Sequence, residues 1–275
     1  MEPYVDDVSS SPAIRFGDEL RRWRRSRGWS QKELGARMGY SHGLVSYVEG
    51  AKKPVTFKFA VAADRVFESG GVFKELWRRI SNASLLEGFA EFADAEARCK
   101  RLRTFELGVI PGLMQTMEYA AAMEAGNVAR GSITQEQADG RVEFLAGRQR
   151  LLEKNPPPVI HAVLDESCIV RTVGGPEVMI PQLDHLLRLT ERPNVTIQVA
   201  PFRLGERRPF LLPVVLLTLP DRSVVGYAES HSRGHLERGR DSVAGWEEDY
   251  DHLKVESLDT AASLAMIRAV RKELQ

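Results

Sequence analysis

The sequence has only two cysteines in 275 residues, Cys99 and Cys168. Two thiols build neither a disulfide framework nor a zinc site. Apolar runs are short: Val214–Leu217 is typical, far below the roughly 20 residues that span a bilayer. The opening "MEPYVDDVSSSPAI" lacks the basic and then apolar pattern of a secretory signal. There is no internal repeat and no low-complexity tract. Net charge is also missing, with 38 Lys and Arg against 38 Asp and Glu. These absences exclude a disulfide-stapled module and a helical membrane protein, and they make a cytoplasmic location the expectation. What is present is 43% hydrophobic sequence, enough for packed cores, in a length suited to about two domains.

The zero net charge hides an asymmetry. From Arg15 to Lys58 there are 11 basic against 4 acidic residues, leaving 27 against 34 in the remainder. A basic first part on an acidic body points to an anionic partner for the first part alone. Residues 1–12 read as a flexible tail, 13–68 as a string of short helices, 69–98 as a helical connector and 99–275 as an α+β region. In the connector, Phe73, Leu76, Trp77 and Ile80 share a helical face. Beyond it, "PGLMQTMEYAAAMEAG" reads as a helix with Pro111 near its start and Gly126 at its end. "TQEQ" opens another with a capping box at Thr134. "VIHAVL" and "VTIQVA" read as strands. The helical stripe between them starts late, because Pro181 interrupts its first turns. "LLPVVLLTLP" and "SVVGYAE" form a hairpin about Asp221–Arg222. The last forty residues are helical, with Val255, Leu258, Ala262 and Met266 apolar. The fold class is therefore multidomain: an all-α helical domain, then an α+β domain with a small mixed or antiparallel sheet.

The most informative stretch is "SQKELGARMGYSHGLVSYVEG". Ser30 and Glu33 form an S-x-x-E capping box. Leu34 and Met38 lie on one face of the short helix that follows. Gly39 makes the tight turn, and Ser41 caps a second helix that buries Leu44, Val45 and Val48. Its other face presents His42, Gly43, Ser46 and Tyr47. Phe16, Leu20 and Trp23 precede the pair at helical spacing, and Phe57, Ala60, Val61 and Phe67 follow it. Five helices with a confined basic surplus fit a helix-turn-helix DNA reader better than a plain helical hairpin.

Residues 13–68, through "WSQKELGARMGYSHGLVSYVEGAKKP", resemble the XRE-type, phage-repressor-like helix-turn-helix domains. The resemblance implies that Gln31 and Ser41 contact DNA phosphates together with Lys52 and Lys53. It implies that His42, Gly43, Ser46 and Tyr47 read bases, and that Arg24 pairs with Glu49 as a structural link. Gly43 departs from the family pattern, having no side chain to offer a base. It also weakens its helix by about 1 kcal/mol relative to Ala. Further on, "GVIPGLMQT", "GRQRLL", "PPPVIHAVLDES", "VGGPEVMIPQLDHLLRLTERPNVTIQVAPF" and the late "YAE" resemble the DUF5753 region of actinobacterial regulators of the WhiJ type, also described as Scr1-family antitoxin-like regulators. That resemblance, over about 90–270, implies a transcription factor controlled by a small acidic DUF397-like protein. It implies no known small-molecule ligand.

Other constellations carry less. His231 and His235 have an H-x3-H spacing, but "SHSRGHLERG" reads as a glycine-broken loop, so no metal is expected. His161, Asp165 and Cys168 suggest a nucleophile and base, but their alternation fits strand positions better. Gly174–Gly175 before a helix is a turn rather than an anion site. Leu113 and Met114 of "IPGLMQT" fit a core better than a binding surface. Arg203, Arg207 and Arg208 lie near a loop that an acidic partner would suit. The expectation is a dimeric, sequence-specific regulator on a palindromic operator, associated with the nucleoid when bound, with no cofactor, metal or catalytic residue. The alternatives are an antitoxin-like protein that sequesters its partner, and an enzyme with a DNA-binding appendage, which would need a polar pocket in the second domain.

Overall fold

A computed structural model of the chain describes residues 12–53, 55–83, 86–230 and 233–275. The expected tail lies outside them except for Pro12, which opens the first helix. The chain divides into two compact units at Leu85–Leu86.

The first unit is all helical: α1 (Pro12–Ser26), α2 (Gln31–Met38), α3 (His42–Glu49), α4 (Phe57–Phe67) and α5 (Val72–Ala83). Phe16 and Leu20 of α1, Leu34 of α2, Val45 of α3, Phe59 and Phe67 of α4 and Phe73 of α5 form one buried core. Val61 is 40% exposed and Leu44 only half-buried, so each helix commits a narrower face than its apolar residues suggest. The stretch 69–98 is not a single connector. Asp64 of α4 accepts from the backbone N–H of Phe73 at 2.8 Å and of Lys74 at 3.0 Å, which caps α5 and ties it to the first unit. The helix α6 (Phe89–Glu96) instead packs in the second unit.

The second unit is built on a six-stranded mixed sheet. Its strands are β1 (Arg101–Glu106), β2 (Val159–Asp165), β3 (Val195–Ala200), β4 (Val214–Thr218), β5 (Val224–Glu229) and β6 (Gly234–Glu237), in the order β3-β2-β1-β4-β5-β6. β1, β2 and β3 run parallel, and β4, β5 and β6 continue the sheet antiparallel. Alternation splits the side chains between two faces. Leu102, Ile160, Ala162, Ile197, Leu217 and Tyr227 face one core with α6, α7 (Met117–Ala129), α10 (Pro176–Leu189) and α12 (Thr260–Glu273). Phe105, Val163 and Leu216 face a smaller one with α11 (Arg240–Glu256). The helix α8 (Gln135–Gln149) opens with the capping box at Thr134, and α9 (Ser167–Val170) is a single turn after β2.

Three local readings need correction. The helix after Pro111 starts at Met117, because the Thr116 hydroxyl caps it by accepting from Tyr119 N at 3.2 Å; Gly112–Met114 is a separate 3-10 turn, and the helix passes Gly126. The helix carrying Pro181 starts early, with Pro176 at its first position, and contains Pro181 inside it. "SHSRGHLERG" is partly strand, since His235 lies in β6, while His231 falls outside the described residues. Val255 is 81% exposed. The helical end of the chain is two helices, α11 and α12, separated at Ser257–Asp259.

Candidate nucleic-acid interface

The recognition geometry begins with the capping box. Ser30 Oγ accepts from Glu33 N at 3.2 Å, and Ser30 N donates to Glu33 Oε2 at 2.7 Å. Gly39 follows α2 in the left-handed region at φ 80°, where a Cβ is penalised. Ser41 Oγ accepts from Leu44 N at 3.3 Å and so starts α3. Two further glycines set how closely the helices approach. A Cβ on Gly17 of α1 would stand 2.7 Å from the carbonyl oxygen of Val48, and one on Gly35 of α2 would stand 2.7 Å from that of Tyr40. Neither position was marked by spacing in the sequence, because each contact is with backbone.

A buried polar cluster fixes the end of α3. Arg24 donates to both carboxylate oxygens of Glu49, Nε at 2.5 Å and Nη2 at 2.9 Å. Gln31 Nε2 donates to Glu49 Oε2 at 2.9 Å, and Arg21 Nη2 donates to the Glu49 carbonyl at 2.6 Å. Burial alone would raise the Glu49 carboxyl; the bonds from Arg24 and Gln31 outweigh it and hold it below the ordinary carboxylate range. Gln31, read as a phosphate contact, is therefore engaged by Glu49 in the free protein.

With its inner side held this way, α3 turns Val45 and Val48 inward and leaves His42, Ser46 and Tyr47 exposed. Gly43 lies between them, and a Cβ there would meet only Ser41 Oγ, at 4.0 Å. Packing therefore does not require glycine at this position. Lys52 and Lys53 are exposed in the following loop, and the Lys53 ammonium stands 5.6 Å from the centroid of the Tyr47 ring. Lys32 and Arg37 of α2 are exposed as well. The arrangement presents a short polar and aromatic helix face flanked by cations, the pattern for base edges between phosphates.

Residues 15–75 match the family model described as a helix-turn-helix domain, the architecture of a DNA-binding regulator. Residues 89–269 match the model of a domain of unknown function, DUF5753, which covers most of the chain. The chain belongs to the DUF5753 family. No curated protein and no solved structure matches it.

In the DUF5753 unit, the remaining sequence candidates are separated or satisfied. His161 packs edge-on against Tyr250 and shares a 2.7 Å hydrogen bond with Gln198, whereas Cys168 is buried in the core on the other sheet face. Burial pushes the Cys168 thiol up, and Asp165 accepts from Ser167 N and Arg208. Arg207 pairs with Glu256 at 2.7 Å, while Arg203 is exposed. Gly174 and Gly175 adopt positive φ ahead of α10, as a turn. Leu113 and Met114 are 4% and 2% exposed. Among the described residues no helix is long and apolar enough to cross a membrane.

Proposed function

We propose that this protein is a sequence-specific transcriptional regulator that binds a palindromic operator as a homodimer. In this reading His42, Ser46 and Tyr47 contact base edges, Gly43 allows close backbone approach, and Ser41, Lys52 and Lys53 hold phosphates. Gln31 joins them once DNA draws its amide away from Glu49. The observation that carries the proposal is the exposed α3 face beside two loop lysines, within the one basic segment of a neutral chain. Dimerisation follows from the small number of bases one such domain reaches; two related by symmetry read half-sites about one helical turn apart. The DUF5753 domain supplies the dimer contact and receives a small DUF397-like protein, whose binding alters operator affinity in the cell interior.

Selection of bound sequences from random duplex DNA tests the first part. An enriched palindrome, lost with Tyr47→Ala, is the supporting result; uniform recovery of all sequences overturns it. For the partner, operator affinity is measured with the small protein demonstrably bound and saturating. An unchanged affinity overturns partner control. Toxicity of the small protein expressed without the regulator would point instead to antitoxin-like sequestration.

A further inference from the structure

The DUF5753 unit contains a cavity of about 250 Å³, slightly below the ~300–1,000 Å³ of pockets for drug-sized ligands. It opens at the carboxyl end of β1, where the sheet changes from parallel to antiparallel neighbours. The strand order also reverses there, running β3-β2-β1 and then on to β4, and such reversals leave crevices that ligands fill. The register explains its polar groups. Phe105, Val214 and Ala228 are paired across β1, β4 and β5. One step further in the same register come Glu106, Pro213 and Glu229, so two glutamates stand on one face about 10 Å apart in backbone with only a proline ring between them.

The two carboxyls are differently placed. Glu229 is exposed at the mouth and accepts from the Tyr227 hydroxyl at 2.8 Å. Glu106 is half-buried and lines the cavity, and among the described residues its carboxyl receives only a long 3.4 Å contact from the Thr104 hydroxyl. The cavity's one guanidinium, Arg148, is already neutralised by a bidentate pair with Glu96 at 2.7 and 2.8 Å, and its plane lies over Phe89 and Phe92. Three carboxyls against one arginine leave a site short of positive charge. Most of the rest of the wall is apolar, including Leu102, Ile110, Leu113, Ile160 and Val215, with Thr104 and Gln115 among them. Its rim is held rigid by glutamines. Gln149 Nε2 donates to the carbonyls of Gly112 and Gln115, and Gln182 Nε2 donates to that of Met114. A preformed wall of this kind lowers the cost of ordering on binding.

We propose that this cavity binds a small organic cation, an ammonium group on a compact apolar body, with the ammonium between Glu106 and Glu229 and the body against the apolar wall. The site lies in the DUF5753 unit and α3 in the other, and binding is measured without DNA, so the result is independent of the regulator reading. Groups facing Glu106 are Glu229 from β5, Arg148 from α8, Glu96 from α6, the Tyr119 hydroxyl from α7 and the Cys168 thiol from α9. Burial first, and the Glu229 carboxylate second, push the Glu106 carboxyl up to about 8. A bound cation favours its ionised form, so binding releases a proton and tightens as pH rises toward 8.

The test is calorimetry on the full chain with three probes of similar shape: phenethylammonium, 2-phenylethanol and 3-phenylpropanoate. The ammonium probe is expected to bind at least tenfold more tightly than the alcohol, with the carboxylate weaker still. Titrations in two buffers of different ionisation enthalpy should show proton release, and affinity should rise between pH 6 and 8. The double variant Glu106→Gln, Glu229→Gln should lose at least tenfold; should it fail to fold, Glu229→Gln alone, at the exposed mouth, should lose several-fold. Equal binding of all three probes, tighter binding of the carboxylate, no binding of the ammonium at 10 mM, or unchanged ammonium affinity in the folded variant would each overturn the proposal.

Discussion

Each unit sets a carboxylate near an arginine, and the two arrangements are opposites. In the helix-turn-helix unit Glu49 is closed in, with two bonds from Arg24 and one from Gln31, and its carboxyl is held low. In the DUF5753 unit Arg148 is taken by Glu96, so Glu106 is left beside an open space and its carboxyl is pushed up. A fully paired buried charge is scaffolding, and its purpose is to hold the helix end that presents a surface elsewhere. An acid drawn partly out of water with one long contact from Thr104 is costly to keep ionised, and the cavity next to it supplies room for what it lacks.

The largest effect is expected from Arg24→Ala. Removing one partner strands Glu49 in the core, and the first unit should lose about 3–5 kcal/mol in urea unfolding followed by the fluorescence of Trp23 and Trp29. A loss near zero would mean that Arg21, 3.7 Å from the same carboxylate, suffices alone. Acidity separates the two glutamates by sign. Glu49 is lowered, so its contribution is present above about pH 4.5 and is lost as pH falls through its depressed value. Glu106 is raised, so its cost is absent below about pH 4.5 and grows as pH rises toward 8. Glu106→Gln should therefore match the parent in acid and exceed it in thermal stability at pH 8. Identical melting curves at both pH values would place Glu106 in contact with water.

Smaller effects test the exposed face. Tyr47→Ala should cost roughly 1–3 kcal/mol of discrimination between operator and mutated operator if the ring or hydroxyl meets a base. Gly43→Ala should stabilise α3 by up to about 1 kcal/mol, since nothing crowds the added methyl. A simultaneous loss of operator affinity would show that the backbone there approaches DNA closely. Lys53→Ala should weaken all sequences alike and reduce the salt slope by about 1. A change of preferred sequence would blur the division between phosphate contact and base reader.

Local chemistry was readable from the sequence. Ser30 with Glu33, Gly39 and Thr134 with Gln137 are decided within four residues, and the structure has each cap. The exposed side of α3 followed from where Val45 and Val48 had to go. Features that depend on distant chain were not readable. Gly17 matters because the carbonyl of Val48, some thirty residues later, lies against it. Glu106 and Glu229 are 123 positions apart and share a cavity only because β4 lies between their strands. Without strand order, "FELGVI" and "YAES" offer no sign of meeting. The helical character of the last forty residues was readable, but the break of three residues between α11 and α12 was not.

The position of Lys53 bears on how the two proposed kinds of DNA contact would combine. Its ammonium stands over the Tyr47 ring before any DNA is present, an attraction worth about 0.5–1 kcal/mol at an exposed site. The tyrosine is thus biased toward one rotamer in the free protein, and a phosphate that draws the lysine away also releases the ring. Tightness of grip on the backbone and sharpness of reading at the bases would then trade against each other, and a double-mutant cycle on these two residues would register that tension as a coupling of its own.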